Sequence, residues 1–296
     1  MKMNKMHESN RACWNEWAQW WGKRADEKGN WKRCHRDPAL VFCPDEMAFL
    51  SDVRGKDVCV LGSGDNEAVF ALAGLGARVT SVDISEGQLA IAAERARILG
   101  LSVSFVRADV THLEGLEAGR FDLAYTGGHV SVWVSDITRY YAEAARILRQ
   151  GGLLIINEYH PVRQMWLDSP GPEPRHRYLH RGPYEDRSPK EHAAVACSFA
   201  KRVAARGAIS AMRAKRTGGG VAAREDRPQF EFHWTVADHI QAVLDAGCAL
   251  VKVIEYGEGK ENEDYSKATP AELPMYLFIV ARKEPFTKTP ASLPGR

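Results

Sequence analysis

The chain has no real excess of either charge: 40 Lys and Arg stand against 38 Asp and Glu, a formal net charge of +2. That balance supplies no overall pull toward nucleic acid or an anionic bilayer surface. It also lacks a C-x-x-C pair. Its six cysteines (Cys13, Cys34, Cys43, Cys59, Cys197 and Cys248) are scattered, which argues against a zinc knuckle or disulfide framework and for a reducing, cytoplasmic setting. Long apolar runs are missing too: none approaches the roughly 20 residues that span a bilayer, and the opening MKMNKMHESN has no apolar stretch of the secretory kind. What is left is an ordinary globular composition, 45% hydrophobic and 26% charged over 296 residues. That is enough chain for one large α/β domain with embellishments.

Three parts are expected: a helical N-terminal segment over 1–50, a main domain over 51–284 that carries an insertion at 161–230, and a loose Pro-containing tail at 285–296. In the first part Ser9 or Asn10 can cap a helix on which Trp14, Trp17 and Trp21 share one face at i, i+3 and i+7. The stripe suits packing against the main domain; the sharper alternative is a lid whose indoles, Trp17 and Trp21 foremost, cover a ligand. From 55 to 160 apolar strands alternate with helices. DVCVLG, ARVTSVDIS, SVSFVRAD, FDLAYTGG and GGLLIINEYH read as strands, and EAVFALAGLG, GQLAIAAERARILG and DITRYYAEAARIL as helices. Strands this apolar imply a parallel sheet covered on both faces, and right-handed crossovers leave a doubly wound sheet as the simplest architecture. The 161–230 stretch is proline-broken and arginine-rich. Acids such as Asp168, Glu173, Glu185, Asp186, Glu191, Glu225 and Asp226 dilute its charge, so a solvated surface or lid is expected rather than an anion grip. The helix VADHIQAVLDAG and the strands ALVKVIEYGE and MYLFIVARK complete a mostly parallel, seven-stranded sheet.

Three segments at predicted strand ends carry the chemistry: VLGSGDN at 60–66, VDIS at 82–85 and RADV at 107–110. Ligands of doubly wound sheets bind at that edge, where strand order reverses. Gly62 and Gly64 permit a sharp turn and backbone contact with a ligand. Asp83 can accept hydrogen bonds from both hydroxyls of a ribose, and Asp109 is placed to meet an adenine amino group. A nicotinamide dinucleotide fits less well. The G-x-G-x-x-G pattern needs glycine where Glu67 stands, and a pyrophosphate would meet Asp65 and Glu67 at the helix start.

Taken in order, Gly62-Ser63-Gly64, the run from Ala77 to Ser85, Asp109, Phe121-Asp122-Leu123 and Leu148-Arg149-Gln150-Gly151-Gly152 resemble the successive motifs of class I S-adenosylmethionine-dependent methyltransferases. The likeness covers about residues 55–160. It implies the Rossmann-like fold of that class, S-adenosylmethionine as cofactor with S-adenosylhomocysteine as product, and a small-molecule acceptor. By this resemblance Gly62 and Gly64 line the methionine moiety, Asp83 holds the ribose, and Asp109 with Val110 frames the adenine. Ser63, Ile84 and Thr126 complete the cofactor set. Two positions depart from the pattern. Val60 stands where the family has an acid, and Asn66 where it has a third glycine. The backbone carbonyls of Gly62 and Thr126 or the side chain of Asp65 are then the candidates to hold the cofactor's amino group.

A methyl group on a sulfonium is already activated, so the protein has only to align an acceptor and, where needed, remove its proton. Candidate bases lie beyond the fourth and fifth strands: His129, His160 and, more weakly, Glu158. Tyr159 and His233 join Trp17 and Trp21 as candidate acceptor contacts. No metal is expected, although His129, Glu158, His160 and His233 are of types that bind divalent ions. Methylation at O, N or S of a small molecule is the expected reaction; methylation of RNA or protein, or a non-methylating use of the fold, are the alternatives.

Overall fold

The computed structural model describes residues 4–64, 67–166, 173–186, 227–258 and 272–285. The expectations placed on Asp65, Asn66, most of the 161–230 insertion and the tail after 285 therefore lie outside the described residues.

Seven strands form the main sheet: β1 (Asp57–Leu61), β2 (Arg78–Asp83), β3 (Val103–Arg107), β4 (Phe121–Gly127), β5 (Leu148–Tyr159), β8 (Cys248–Glu258) and β9 (Pro274–Lys283), in the order β3-β2-β1-β4-β5-β9-β8. The first five are parallel; β9 runs antiparallel to both β5 and β8. The chain winds outward from β1 to β3 and then returns beside β1 as β4. The crevice beyond the C-terminal ends of β1 and β4 is thus the switch point of the sheet. Every residue of β4 is buried, as an apolar central strand covered on both faces requires.

The covering helices are α3 (Glu67–Gly74) and α4 (Glu86–Leu99) between the first strands, α5 (Ile137–Ile147) before β5, and α7 (Val236–Asp245) before β8. Their ends follow local chemistry. Ser85, Asp136 and Thr235 cap α4, α5 and α7 through their side chains, and left-handed Gly100 closes α4. Two apolar clusters result, one on each face. Leu61, Val82, Tyr140, Tyr141 and Ile156 belong to one, and Val58, Phe70, Leu123, Tyr125 and Phe278 to the other.

The N-terminal helix α1 (Lys5–Lys28) begins earlier than the sequence suggests. Asn4 caps it, while Asn10 sits inside it, buried and bonded to the backbone of Phe230. Its buried ridge is His7, Asn10, Cys13, Ala18 and Gly22, not the tryptophan stripe. Small residues win this face because α1 packs close to α4. A β-carbon on Gly87 would come within 3.1 Å of Ala18 Cβ, and one on Gly22 within 3.1 Å of Ile91 Cδ1. The indoles are displaced to the flank, where Trp20 and Trp21 stay substantially exposed. A short helix α2 (Pro44–Leu50) and a four-residue turn of helix α6 (Pro161–Gln164) complete the helical set among the described residues. The ends of the insertion meet in a small antiparallel ladder of β6 (Tyr184–Asp186) and β7 (Gln229–Glu231). No helix among the described residues is long and apolar enough to cross a membrane.

Candidate active site

The turn after β1 has left-handed backbone at Gly62 (φ 60°) and Gly64 (φ 49°). Its geometry is tied to the tip of β2. The amide of Gly64 donates to Asp83 Oδ2 at 2.7 Å, and the amide of Ser85 donates to Asp83 Oδ1 at 2.7 Å. Asp83 is buried yet rests against the open notch beside Gly64, where a β-carbon would lie 3.9 Å from Oδ2 and 3.7 Å from Oε1 of Gln88. Ser63 does not face that notch. Its hydroxyl is paired with Ser81 Oγ at 2.7 Å and Val82 O at 3.2 Å, so it anchors the turn to β2. Ile84, half-buried, follows Asp83 at the strand end.

At the tip of β3, Asp109 is buried among donors. Oδ1 accepts from the amide and hydroxyl of Thr111 (2.9 and 2.8 Å), and Oδ2 faces Nδ1 of His7 at 2.6 Å. Burial works against ionisation, but the bonds from His7 and Thr111 outweigh it and hold the carboxyl below its ordinary range. His7 reaches Asp109 from α1. Because its Nε2 accepts from the amide of Ser135 at 3.0 Å, its Nδ1 carries the proton given to the carboxylate. Val110 is buried in the core beside this corner. Thr126 is fully buried with its hydroxyl accepting from Tyr140 at 2.6 Å, so only its backbone is left for a ligand.

The first helix covers this edge. Arg11 forms a two-point ion pair with Glu86, and Asn15 Oδ1 accepts from Ser85 Oγ (2.6 Å) and Gly87 N (3.0 Å). Arg95 of α4 donates to the carbonyl of Gly22 at 2.7 Å. Trp14 meets Trp133, in the turn after β4, edge to face at 5.2 Å. Trp17 and Trp21 reach that turn only through Trp14, at 5.6 and 6.3 Å.

Beyond β4 the chain turns through Gly127, Gly128 and His129, the last with φ 82°, a left-handed conformation rarely adopted by a residue with a side chain. Glu158 holds this turn from behind, its Oε1 accepting from the amides of Val130 and Ser131, both at 3.2 Å. Burial raises the Glu158 carboxyl to about 7 against the pull of those bonds. The His129 ring lies 4.8 Å from that of Tyr159, and its Nδ1 is 3.2 Å from Gln164 Nε2. Burial, with Arg163 and His233 nearby, pushes its pKa down to about 3. The Arg163 guanidinium is buried 3.7 Å over the Tyr159 ring. A cavity of about 160 Å³ opens beside these residues, walled by Tyr125, Gly127, Gly128, Asn157, Tyr159 and Tyr276.

The structure thus brings His129, Glu158 and Tyr159 together, with Glu158 behind the turn and the other two in front. His160 is turned elsewhere. Its Nδ1 accepts from the amide of Val162 as the cap of α6, and its Nε2 lies 2.6 Å from Glu255 on β8. His233 packs with His176 (5.2 Å) and Tyr184 (4.5 Å) where the ends of the insertion meet, and burial lowers it to about 4. Among the described residues no three His, Cys, Asp or Glu side chains gather as metal ligands. Sequence reasoning missed His7, Gln88, Val130 and Asn157. Of these only Gln88 carried a signal, its place five residues after Asp83, and that signal was absorbed by helix capping.

The comparisons agree with this geometry. A family model described as a methyltransferase domain matches residues 59–156. A ubiquinone biosynthesis O-methyltransferase of Caulobacter vibrioides is 28% identical over 149 residues, covering 47% of this chain and 57% of that protein. A ubiquinone/menaquinone biosynthesis C-methyltransferase of Sinorhizobium fredii is 34% identical over 132 residues, covering 41% and 49%. The chain therefore spans about half the length of the curated relatives it matches. A solved S-adenosylmethionine-dependent methyltransferase from Mesorhizobium loti superposes with a TM-score of 0.54 at 22% identity, over 81% of this chain and 96% of that one. One from Clostridium acetobutylicum does so with 0.53 at 12%, over 92% and 100%. These two likenesses show the fold. The sheet order and the site at its switch point define a nucleoside-binding, doubly wound domain. Within that class, residues 59–156 belong to the methyltransferase domains, of the class I, S-adenosylmethionine-dependent type.

Proposed function

We propose that the protein transfers a methyl group from S-adenosylmethionine to a heteroatom, a hydroxyl oxygen foremost, of a small-molecule acceptor. One observation carries the reading: buried carboxylates stand at the tips of adjacent strands, Asp83 beside the open Gly64 notch and Asp109 on β3, with no pattern for a phosphate between them. The residues present fit the cofactor. The Gly64 notch admits a sugar against Asp83, Asp109 remains ionised for an amino group on a base, and the amide-tied turn presents backbone to the rest. When bound, the cofactor supplies a methyl group activated by its positive sulfur.

Every other part of the reaction falls to the chain. Helix α1, held at Glu86, Ser85 and Asp109, keeps water from the strand tips. The cavity at the ends of β4, β5 and β9 is of a size for one small ring, close to the roughly 150 Å³ of an engineered cavity that holds benzene. Alignment there is worth about 7–11 kcal/mol when the reacting atoms meet in line. His129 is neutral at physiological pH, but with a pKa near 3 it is a weak base. Its part is to accept a hydrogen bond from the acceptor's hydroxyl and aim the oxygen. The curated relatives named as ubiquinone biosynthesis O-methyltransferases support an acceptor of low molecular weight.

Incubation with S-adenosylmethionine and a panel of phenols and other hydroxylated small molecules tests the proposal. S-adenosylhomocysteine should accumulate only with an acceptor, which gains one methyl group by mass. Label arriving on RNA or protein instead would replace this reading with a macromolecular one.

A further inference from the structure

Gln88 lies in the first turn of α4 and is 3% exposed. Its backbone amide serves the helix cap, donating to Ser85 Oγ at 3.1 Å. Its side-chain oxygen does no such work: Oε1 is buried and accepts no hydrogen bond among the described residues. A buried amide oxygen without a donor is costly, and the great majority of such atoms in folded proteins are satisfied. This one points to the place where a donor is expected from outside the chain. A β-carbon on Gly64 would stand 3.7 Å from Gln88 Oε1 and 3.9 Å from Asp83 Oδ2, so both acceptors border the same notch, which glycine leaves clear.

We infer that Gln88 is a second ribose-binding side chain. Asp83 and Gln88 each accept a hydrogen bond from one of the two adjacent hydroxyls of the cofactor's sugar. The inference rests on the proposed use of S-adenosylmethionine and adds a residue to it. An uncharged acceptor is the reasonable partner here. The Asp83 carboxylate is already fixed by the amides of Gly64 and Ser85, and a second carboxylate across the notch would repel it where a neutral amide does not.

The experiment is calorimetric titration of the whole chain with S-adenosylhomocysteine and with its 2′-deoxy and 3′-deoxy forms. The wild type should bind the parent compound and lose affinity with each deoxy form. Gln88→Met, which keeps the length and removes the acceptor, should bind the parent about five- to tenfold more weakly, the range of one hydrogen bond. It should also cease to distinguish the parent from one of the two deoxy forms while still penalising the other. Gln88→Glu keeps an acceptor and should still penalise both. If Gln88→Met penalises both deoxy forms as the wild type does, Gln88 does not meet the sugar, and the inference is overturned with the cofactor reading intact. If the wild type binds none of the three, both are overturned.

Discussion

The isopropyl group of Val130 fills the space that a side chain on Gly62 would need: a β-carbon there would fall 2.4 Å from Val130 Cγ1. The glycine at the start of the nucleoside-binding turn therefore serves the protein's own packing as well as a ligand's approach. The contact joins two halves of the site. Val130 belongs to the turn after β4, whose amides are held by Glu158 from β5, so the cofactor turn and the acceptor cavity share one wall.

Gly62→Ala should be destabilising for two reasons, the clash with Val130 and a side chain at φ 60°. A loss of about 2–4 kcal/mol is expected, the left-handed conformation accounting for roughly 1–2 of it. The double variant Gly62→Ala, Val130→Ala should recover the clash and not the backbone strain. Denaturant unfolding of the three chains measures both parts.

Glu158 makes stability depend on pH. Its folded pKa, about 7, lies above the ordinary 4.5, so the folded state holds this proton more tightly than the unfolded chain. The stabilisation is complete below about 4.5 and is lost as pH rises through 7, a change of roughly 3 kcal/mol. Glu158→Gln cannot ionise and keeps an acceptor for the amides of Val130 and Ser131. Its unfolding free energy should fall less than that of the wild type between pH 5 and pH 8. Parallel curves for the two proteins would show that the carboxyl does not titrate there.

The two histidines singled out by position should separate in their effects. His129→Ala should lower kcat by about tenfold or more with little change in cofactor Kd, because one orienting hydrogen bond is worth about that much. His160→Ala removes the cap of α6 and the contact with Glu255. It should lower the melting temperature by several degrees, the size expected for about 1 kcal/mol, and leave cofactor affinity unchanged. Kinetics and thermal melting on the two purified variants decide it.

His7 ties α1 to Asp109 and Ser135 at once. His7→Ala should loosen the helix, raising amide hydrogen exchange in residues 5–15 and weakening S-adenosylhomocysteine binding several-fold. Exchange as slow as in the wild type would mean that the Asn15 and Arg11 contacts hold the helix unaided.

The sheet was readable from the chain because apolar strands and capped helices alternate from Asp57 to Tyr159, and Asp83 and Asp109 fall at strand ends by simple counting. Their partners were not readable in the same way. His7 meets Asp109 across 102 positions, and Val130 meets Gly62 through a turn that no local pattern announces. The Trp14, Trp17 and Trp21 stripe was real as a periodicity and misleading as a packing face, since Ala18 and Gly22 allow a closer helix contact than indoles do. Gln88 shows the same ambiguity at one residue. Its spacing from Ser85 suits a capping box, yet only its backbone caps, and its amide oxygen is left beside the sugar notch. His160 precedes Pro161, and its ring follows the needs of that turn.

Calorimetric titration of S-adenosylhomocysteine into the wild type and into Asp83→Ala is the most direct trial of a nucleoside pocket at these strand tips. The wild type should bind with a single site, and Asp83→Ala should bind at least tenfold more weakly, since charged hydrogen bonds to the sugar are lost. Absence of binding to the wild type, or equal affinity in both proteins, would contradict it.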